Sequence, residues 1–126
     1  MHLNPRSGRW NPDPSNLAHH IGIAVAYNVW QYYQVTGDLA YLIDYGAETL
    51  LEIARFWCSR TTYDGENDRY HIRGVIGPDE FHSGYPDRPY DGIDNNAYTN
   101  IMAVWVMLRA IDALESMPLS NRFDLC

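Results

Sequence analysis

The sequence predicts an all-α fold with about three long helices and a long, mostly irregular loop between the second and the third. Three segments are long enough for a helix of about six turns and carry apolar residues at helical spacing. The segment after the second helix is rich in turn formers instead, around a short alternating stretch at 70–76 that could form a small hairpin. The predicted order is a loop at 2–14, helices at 15–36 and 38–60, a loop at 61–94, a helix at 95–116 and a tail at 117–126.

The helix predicted at 15–36 is apolar on more than one side. Ser15 or Asn16 can cap its start, because both side chains accept hydrogen bonds from first-turn amides. The apolar and aromatic residues between Ile21 and Tyr33 are too many for a single face. This helix is therefore expected to be buried on several sides.

The helix predicted at 38–60 has one apolar stripe and is amphipathic. It follows Gly37, and the Asp38 side chain can accept hydrogen bonds from the first-turn amides. The stripe consists of Leu39, Leu42, Ile43, Gly46, Leu50, Ile53, Ala54 and Trp57.

The helix predicted at 95–116 again carries apolar residues all round. It begins near Asp94 or Asn95 and contains an uninterrupted apolar run at 101–108. Pro118 ends the helix or follows its end, and the last residues are expected to be a frayed tail.

Three helices cannot hide this much apolar surface by themselves, because a domain of 126 residues leaves a large share of its surface exposed. Two explanations fit. Either the helices belong to a two-layered helical array in a longer protein, of which this chain is an internal fragment, or the chain self-associates through its exposed helices.

Composition and charge exclude several classes of partner. The chain is 46% hydrophobic and 20% charged, which is a globular composition, and its formal charge is −7. All nine basic residues are Arg, and no basic cluster suggests a nucleic-acid or membrane surface. No stretch is expected to reach the length of a membrane span, and the N-terminus lacks a signal-peptide pattern. Cys58 and Cys126 show no metal-type spacing, so a reducing compartment, the cytoplasm, is expected.

Six stretches along the chain together carry a resemblance to a known family. They are HLNPRSGRW at 2–10, AYNVWQYY at 26–33, YGAE at 45–48, EIARFW at 52–57, GPDEFH at 77–82 and DNNAYTN at 94–100. Over these stretches, and over nearly all of 2–115, the sequence resembles glycoside hydrolase family 65, which includes the maltose, trehalose and kojibiose phosphorylases. A match of this length is much more specific than a short motif alone.

The resemblance implies an (α/α)6 barrel, in which an inner ring of helices is wrapped by an outer ring and the loops at one end form the sugar pocket. Helices that are apolar all round suit the inner layer, and the striped helix at 38–60 suits the outer layer. A barrel of about twelve helices would contain the three predicted here as a quarter of it.

The resemblance also implies phosphorolysis of an α-linked glucose disaccharide, with inversion to β-glucose 1-phosphate. An inverting hydrolase needs one carboxylic acid and one carboxylate base. A phosphorylase needs only the acid, because inorganic phosphate is already an anionic nucleophile and a protein base would repel it. Phosphate is then the co-substrate, and no cofactor is expected. The acid of the family's motif corresponds to Glu80, in the active-site loop at 61–94.

A physical argument for Glu80 accompanies the resemblance. The acid must stay protonated near neutral pH, and a wall of aromatic side chains raises a carboxyl pKa by desolvating the anion. Phe81, Tyr85 and Tyr98 could form such a wall. An isolated Asp-Glu pair is usually only a polar loop feature, but the surrounding GPDEFH motif favours the catalytic interpretation.

Asp79 and His82 flank the acid and are predicted to bind substrate. Asp79 could anchor sugar hydroxyls, or it could be a turn former after Pro78. His82 could bond a glucose hydroxyl, orient Glu80 or simply pack in the loop. No metal is expected, because these residues have neither the HExxH spacing nor the pattern of a calcium loop.

Four further residues are predicted to contact substrate. Asn95 and Asn96 open the third helix together with Asn100. Asn can cap a helix or bond sugar diols, and one of the three is expected to cap. Arg9 and Trp10 lie in a stretch shared with the family and could reach the pocket, Trp10 by stacking on a sugar face, or they could pack structurally.

Two rival interpretations stay open at the level of sequence. One is a hydrolase on the same fold, which would use a second carboxylate outside this chain. The other is a catalytically inert truncated fragment, because a pocket built from a quarter of its loops cannot preorganise a transition state.

Overall fold

The computed structural model describes residues 1–79 and 82–122. These fall into two compact units, one formed by residues 1–20 and 61–100 and the other by residues 21–60 together with the chain from 101 onward. The elements are β1 (His2–Asn4), β2 (Arg9–Asn11), α1 (His20–Thr36), α2 (Leu39–Tyr41), α3 (Ala47–Arg60), β3 (Thr61–Asp64), β4 (Arg69–Ile72), α4 (Ala97–Ser116) and α5 (Leu119–Arg122).

The N-terminal segment forms a small antiparallel hairpin, in which Leu3 pairs with Trp10. The Asn4 side chain fixes its turn by accepting hydrogen bonds from the backbone N–H groups of Arg6 (3.0 Å) and Ser7 (3.2 Å). The prediction of an irregular loop at 2–14 is therefore wrong for β1 and β2. Strands of three residues are too short to show an alternating pattern.

Helix α1 begins later than predicted. A 3-10 turn at Ser15–Leu17 precedes it, and the first residue of α1 is His20. The backbone N–H of Ser15 donates to the Asp13 side chain at 3.0 Å, which starts the turn. The carbonyl of Leu17 accepts from the N–H of Ile76 at 3.2 Å, so it is taken by the loop and cannot extend the helix.

The core of the second unit is formed by one face each of α1, the α2–α3 segment and α4. Asp38 caps α2 as predicted, accepting from the N–H of Tyr41 at 2.9 Å. A π-helical turn at Leu42–Gly46 then leads into α3, an irregularity that the apolar stripe did not predict. The buried residues of this core are Ile23, Ala26, Trp30, Leu42, Ala47, Leu50, Ala54, Trp57, Ala103, Val106, Ala110, Ala113 and Met117.

Gly46 allows α1 and the π-helical turn to approach closely. A Cβ atom at this position would lie 3.2 Å from Leu42 Cδ1 and 3.4 Å from Val29 Cγ1. Both distances are tighter than ordinary contacts, so the neighbouring side chains would have to shift to admit even an alanine.

Helix α4 is long and apolar enough to cross a membrane, judged by length and composition alone. The expectation that no stretch reaches the length of a membrane span is therefore wrong. Core helices of soluble proteins meet the same criteria. Only 28% of its apolar window is buried in the chain, and a stripe of large side chains stays exposed. The stripe consists of Ile101, Val104, Leu108 and Ile111.

The predicted tail contains the short helix α5. Arg122 donates hydrogen bonds to the carbonyls of Glu115 (3.1 Å) and Met117 (3.0 Å), at the end of α4. A cation that bonds the last carbonyls of a helix stabilises its C-terminus, so Arg122 of α5 stabilises the end of α4.

Candidate active site

The loop that carries the GPDEFH motif is closed at its base by paired backbone groups. Asn95 N–H donates to the Ile72 carbonyl at 2.8 Å, and Val75 and Ile93 exchange hydrogen bonds of 3.2 and 2.8 Å. Ile72 and Val75 are also buried. The two ends of the loop are thus held side by side, and residues 73–94 leave and return at one place.

The β3–β4 hairpin supports this base through a chain of side chains. Asn95 has a positive φ of 53°, and its Oδ1 accepts from the Ile72 N–H at 3.2 Å. Its Nδ2 lies 2.8 Å from Nδ1 of His71, whose Nε2 lies 3.3 Å from Oδ2 of Asp64. Since the amide Nδ2 is a donor, His71 accepts at Nδ1 and donates from Nε2 to the carboxylate.

Asp64 also holds the turn of this hairpin. Its carboxylate accepts from the Asn67 side chain at 2.8 Å, from His71 at 3.3 Å and from the Glu66 N–H at 3.0 Å. These hydrogen bonds lower the pKa of Asp64 from 3.8 to about 2. A hairpin was predicted in this part of the chain, but at 70–76. The observed strands run from Thr61 to Ile72.

Two further contacts, both made by Gly92, hold the two limbs of the loop close together. Gly92 N–H donates to the Ser83 carbonyl at 3.0 Å. Gly92 has a φ of +79°, and a Cβ atom there would lie 2.6 Å from the backbone of Gly74. Only glycine fits a position that combines this conformation with this approach.

The first and last residues of the GPDEFH motif, Gly77 and His82, lie against each other. The Gly77 N–H donates to the His82 carbonyl at 3.3 Å. A Cβ atom on Gly77 would lie 2.5 Å from Nδ1 and 2.8 Å from Cβ of His82, so the imidazole lies directly against the glycine. The predicted acid, Glu80, and its neighbour Phe81 lie outside the described residues.

The returning limb of the loop is braced by Tyr85, Arg88 and Asp94. The Tyr85 hydroxyl accepts from the Asp94 N–H at 3.0 Å, and the Arg88 guanidinium lies 4.9 Å above the Tyr85 ring. Arg88 also pairs with the Asp94 carboxylate at 3.5 Å. Tyr85 therefore has a structural role in the loop. From the sequence it was predicted only as part of an aromatic wall around Glu80.

An open cleft of about 390 Å³ is lined by Gly77, Pro78 and Asp79, at the start of the GPDEFH motif, and by the segment that leads into α1. The polar side chains that line it belong to Asp13, Ser15, His20, Asp79 and Ser83.

Asp13 is held in place in this cleft by its own loop. Hydrogen bonds from the backbone and the side chain of Ser15 lower the pKa of the Asp13 carboxyl, so it is anionic near neutral pH. The fixed carboxylate gives this side of the cleft a negative charge and two acceptor oxygens.

The predicted site residues are not all brought together. Asp79 lines the cleft, and the His82 side chain lies against Gly77, which also lines it. Asn96 caps α4, accepting from the Thr99 N–H at 3.0 Å, so the expectation that one of Asn95, Asn96 and Asn100 would cap is confirmed. Asn95 is engaged at the base of the loop.

Arg9 and Trp10 lie on β2 and do not line the cleft. Trp10 is 61% exposed, which leaves its indole face accessible. For all of these residues, contact with a substrate stays a prediction. Among residues 1–79 and 82–122, no three His, Cys, Asp or Glu side chains gather as metal ligands would, and the expectation of no metal likewise stays a prediction.

His20 and the Asp13–Ser15 pair line the cleft but were not predicted from the sequence. His19 and His20 are adjacent on a helix, which makes them a poor metal pair. The available signal was the Asp-x-Ser spacing, which often forms a side-chain-capped turn, followed by a histidine at the first turn of an apolar helix.

With this geometry described, the class of protein follows from comparison with known sequences. The chain matches the glycosyl hydrolase family 65 central catalytic domain over residues 1–125, and it belongs to that family. The predicted fold class is confirmed: the helices are part of the (α/α)6 barrel of these enzymes.

Individual relatives give a finer comparison. An uncharacterized glycosyl hydrolase of Mycobacterium tuberculosis (strain H37Rv) is 70% identical over 125 residues, which are 99% of this chain and 9% of the relative. The trehalose 6-phosphate phosphorylase of Lactococcus lactis subsp. lactis is 43% identical over 105 residues, 83% of this chain and 13% of that enzyme. The chain thus spans about a tenth of the length of these relatives.

Solved structures include a similar fold. A human-microbiome protein assigned as a kojibiose phosphorylase superposes with a TM-score of 0.68 at 28% identity, over 83% of this chain and 15% of that one. The match to part of a phosphorylase barrel agrees with the incomplete burial of α4 in the present chain.

Proposed function

We propose that this chain forms part of the active site of an inverting phosphorylase that cleaves an α-linked glucose disaccharide with inorganic phosphate. The products would be β-glucose 1-phosphate and the second sugar. Membership of family 65 makes the chain part of a glycoside-cleaving enzyme. The choice of phosphorolysis is supported by the phosphorylase activities named for its relatives.

One observation supports the placement of the chemistry in this chain. Gly77, Pro78 and Asp79, the first residues of the GPDEFH motif, line a cleft, and they belong to a loop whose two ends are fixed to each other. A catalytic group must be positioned within fractions of an ångström, which a loop fixed at its base can provide and a free tether cannot.

In this proposal Glu80 is the general acid. It protonates the oxygen of the glycosidic bond as that bond breaks, while an oxygen of phosphate attacks the anomeric carbon from the opposite face. The proton leaves Glu80 with the departing sugar, and the phosphate oxygen forms the new bond to carbon. Asp79, which lines the adjacent cleft, is placed to accept hydrogen bonds from sugar hydroxyls.

The negative charge of the cleft favours a sugar in this cleft and phosphate at another site. Asp13 and Asp79 line it, and Asp13 is held as an anion. Carboxylates repel inorganic phosphate but bond readily to neutral hydroxyls. The phosphate site is therefore assigned to a part of the barrel outside this chain, and the reaction requires no other cofactor.

The test uses the longest natural form of the protein that contains residues 1–126. It is incubated with maltose, trehalose or kojibiose, with and without phosphate, and the products are identified by NMR, which distinguishes β- from α-glucose 1-phosphate. Phosphate-dependent release of the β anomer supports the proposal. Release of free glucose at the same rate without phosphate would establish a hydrolase instead.

Glu80→Gln is expected to lower kcat by a factor of about 100 or more, because the amide keeps the shape but cannot donate a proton. Glu66→Gln is the matched control, since Glu66 is an exposed carboxylate in the turn between β3 and β4. Equal activity of the two variants would exclude Glu80 as the acid. The 126-residue chain alone is expected to release neither glucose 1-phosphate in the presence of phosphate nor free glucose in its absence.

A further inference from the structure

Asn95 has a backbone conformation that its side-chain contacts stabilise. Its φ of 53° lies in the left-handed region, which asparagine tolerates better than most residues but which is still unfavourable. Its amide oxygen accepts from the Ile72 N–H at 3.2 Å, and its amide nitrogen lies 2.8 Å from Nδ1 of His71. Its backbone N–H donates to the Ile72 carbonyl at 2.8 Å. Asn95 therefore joins the two ends of the active-site loop, and His71 helps to hold its side chain.

These contacts determine where His71 carries its proton. The Ile72 N–H needs the oxygen of the Asn95 amide, so the group that meets His71 is the NH2, a donor. Nδ1 of His71 must then be an acceptor, and the ring proton lies on Nε2, 3.3 Å from Oδ2 of Asp64. This ring is the neutral imidazole. A protonated ring carries a hydrogen on Nδ1 as well, which would set two donors against each other across 2.8 Å.

On the side of the hairpin, His71 meets the carboxylate of Asp64, which favours the protonated ring. Arg69, on the same strand as His71, donates from Nε to a backbone carbonyl in the turn at 3.4 Å. Tyr63 and Tyr70 pair with each other across the strands, with ring centroids 5.1 Å apart, on the other face of the hairpin. Asp64 therefore helps His71 to take up a proton, whereas the contact with Asn95 opposes it.

On the side of the loop, the charged neighbour of Asn95 in the sequence is Asp94. Its carboxylate accepts from the Gly74 N–H at 3.2 Å and pairs with Arg88 at 3.5 Å. These contacts of Asp94 do not depend on the proton of His71. The contact that protonation of His71 would break is the one to Asn95, at the base of the loop.

We propose that His71 is a positioning residue for the active-site loop that acts in its neutral form, and that protonation of Nδ1 releases the Asn95 side chain and loosens the base of the loop. The part that this loop plays in catalysis rests on the proposed function. Because imidazoles ordinarily take up a proton between about pH 8 and 5, the base is expected to be closed at about pH 8 and loosened at about pH 5.

Amide hydrogen exchange tests this opening. Exchange in peptides that contain Ile72 and Asn95 is followed by mass spectrometry between about pH 5 and 8, on the longest natural form of the protein, with correction for the intrinsic pH dependence of exchange. In the wild type, the protection of these two amides is expected to fall about tenfold or more from pH 8 to pH 5. The amides of α3 are the internal control and are expected to keep their protection.

Two substitutions show which ring nitrogen matters. His71→Asn places an acceptor that does not titrate near the position of Nδ1, and it is expected to keep the protection at both ends of the pH range within about threefold. His71→Gln places its amide near the position of Nε2, so it keeps a donor for Asp64 but loses the contact with Asn95. Its protection is expected to be low at every pH, about tenfold or more below that of the wild type at pH 8.

Two further variants test the charge and the specificity of the effect. Asp64→Asn removes the charge that favours the protonated ring, so the midpoint of the loss of protection is expected to move down by about 0.5 pH or more. His2→Asn is the matched control, because His2 is an exposed histidine on β1 that lies near Asp13, and it is expected to keep the pH dependence of the wild type. Thermal unfolding of each variant shows whether it is folded.

The positioning role is tested separately, by turnover with phosphate at about pH 7. Here kcat is expected to fall about tenfold or more in His71→Gln and less than about threefold in His71→Asn. Equal kcat values in these two variants, with different protection of the loop base, would overturn the positioning role.

The proton dependence has its own refutation. Protection at Ile72 and Asn95 that stays constant in the wild type between about pH 5 and 8, or equal losses in His71→Asn and His71→Gln, would overturn it. Because exchange is measured without turnover, a failure to form glucose 1-phosphate would refute the phosphorylase and leave the exchange result for His71 standing.

Discussion

The carboxylate of Asp64 connects the turn of the β3–β4 hairpin with the base of the active-site loop. It accepts from Asn67 and Glu66 in the turn and from His71, which contacts Asn95. Its pKa in the folded protein, about 2, is below the ordinary 3.8. The stabilisation that comes with this lowered pKa is present above about pH 4 and is lost as the pH falls through about 2.

Asp64→Asn is therefore expected to lower the thermal midpoint near pH 5 and to have progressively less effect as the pH approaches 2. Midpoints of wild type and variant, followed by circular dichroism between about pH 2 and 6, test this difference. Glu66→Gln, in the same turn, serves as the control. A difference between wild type and Asp64→Asn that is constant over this pH range would show that charge at Asp64 contributes nothing.

Gly77→Ala is expected to destabilise the fold by about 1–3 kcal/mol, because the new methyl group would overlap the His82 side chain. The second substitution His82→Gly removes both the imidazole and the Cβ atom that lies 2.8 Å away, and it is expected to restore most of the loss. Urea unfolding of the two single variants and the double variant measures this coupling.

Gly65→Ala is the matched control for Gly77→Ala. The nearest atom to a Cβ at Gly65 is Tyr63 Cε1 at 3.7 Å, which is an ordinary contact. A change within about 0.5 kcal/mol is expected there. Additive losses in Gly77→Ala and His82→Gly would contradict the contact described between these two residues.

At the scale of elements, α4 depends on a single side-chain cap. Asn96 Oδ1 accepts from both the N–H and the hydroxyl of Thr99, which is fully buried. Asn96→Ala is expected to cost about 1–2 kcal/mol, measured by urea unfolding, since it removes the cap and leaves a buried hydroxyl without its acceptor.

Asn28→Ala is the control for the cap, because Asn28 is exposed within α1. Alanine is a better helix former there, so this variant is expected to be neutral or slightly stabilised. If both variants lost stability to the same extent, the effect of Asn96→Ala would not be due to capping.

The helices were predictable from sequence because their apolar residues recur at helical spacing over many turns, and the Asp38 cap follows from one side chain beside the first turn. The start of α1 was not predictable, since it depends on a hydrogen bond from Ile76 to Leu17 across 59 residues of chain. The role of Asn95 was hidden for a similar reason. A sequence shows that Asn can cap, but the contact to His71 exists only once the hairpin has folded.

The whole chain carries more apolar surface than its own residues cover. On α4, Ile101 is 67% exposed and Val104 is 56% exposed, and at the end of α1 Val35 is 82% exposed. Exposed apolar side chains that recur along one helix, as on α4, mark an interface. In the intact enzyme, we assign it to contacts with the remaining helices of the barrel, which the present chain lacks.

The isolated 126-residue chain is expected to self-associate through the same face, and sedimentation velocity at several concentrations will reveal this. Replacing Val104 and Leu108 together by Glu is expected to shift the population towards monomer, because burying the new charges is costly. Replacing Gln34 and Ser120 by Glu adds the same charge at exposed polar positions and is the control. A wild-type chain that stays monomeric at all concentrations would refute this prediction.

The paired base of the active-site loop also makes the loop a graft site. Hydrogen bonds between residues 75 and 93 and between residues 83 and 92 fix the positions at which the loop begins and ends. These positions do not depend on how many residues the loop contains between 83 and 92. Doubling the length of a flexible loop costs only about 0.6 kcal/mol in closure entropy. Residues inserted between Pro89 and Asp91 should therefore lengthen the loop while residues 77–79 keep their position. An engineer could use this insertion point to add new side chains near the cleft without disturbing the residues that line it.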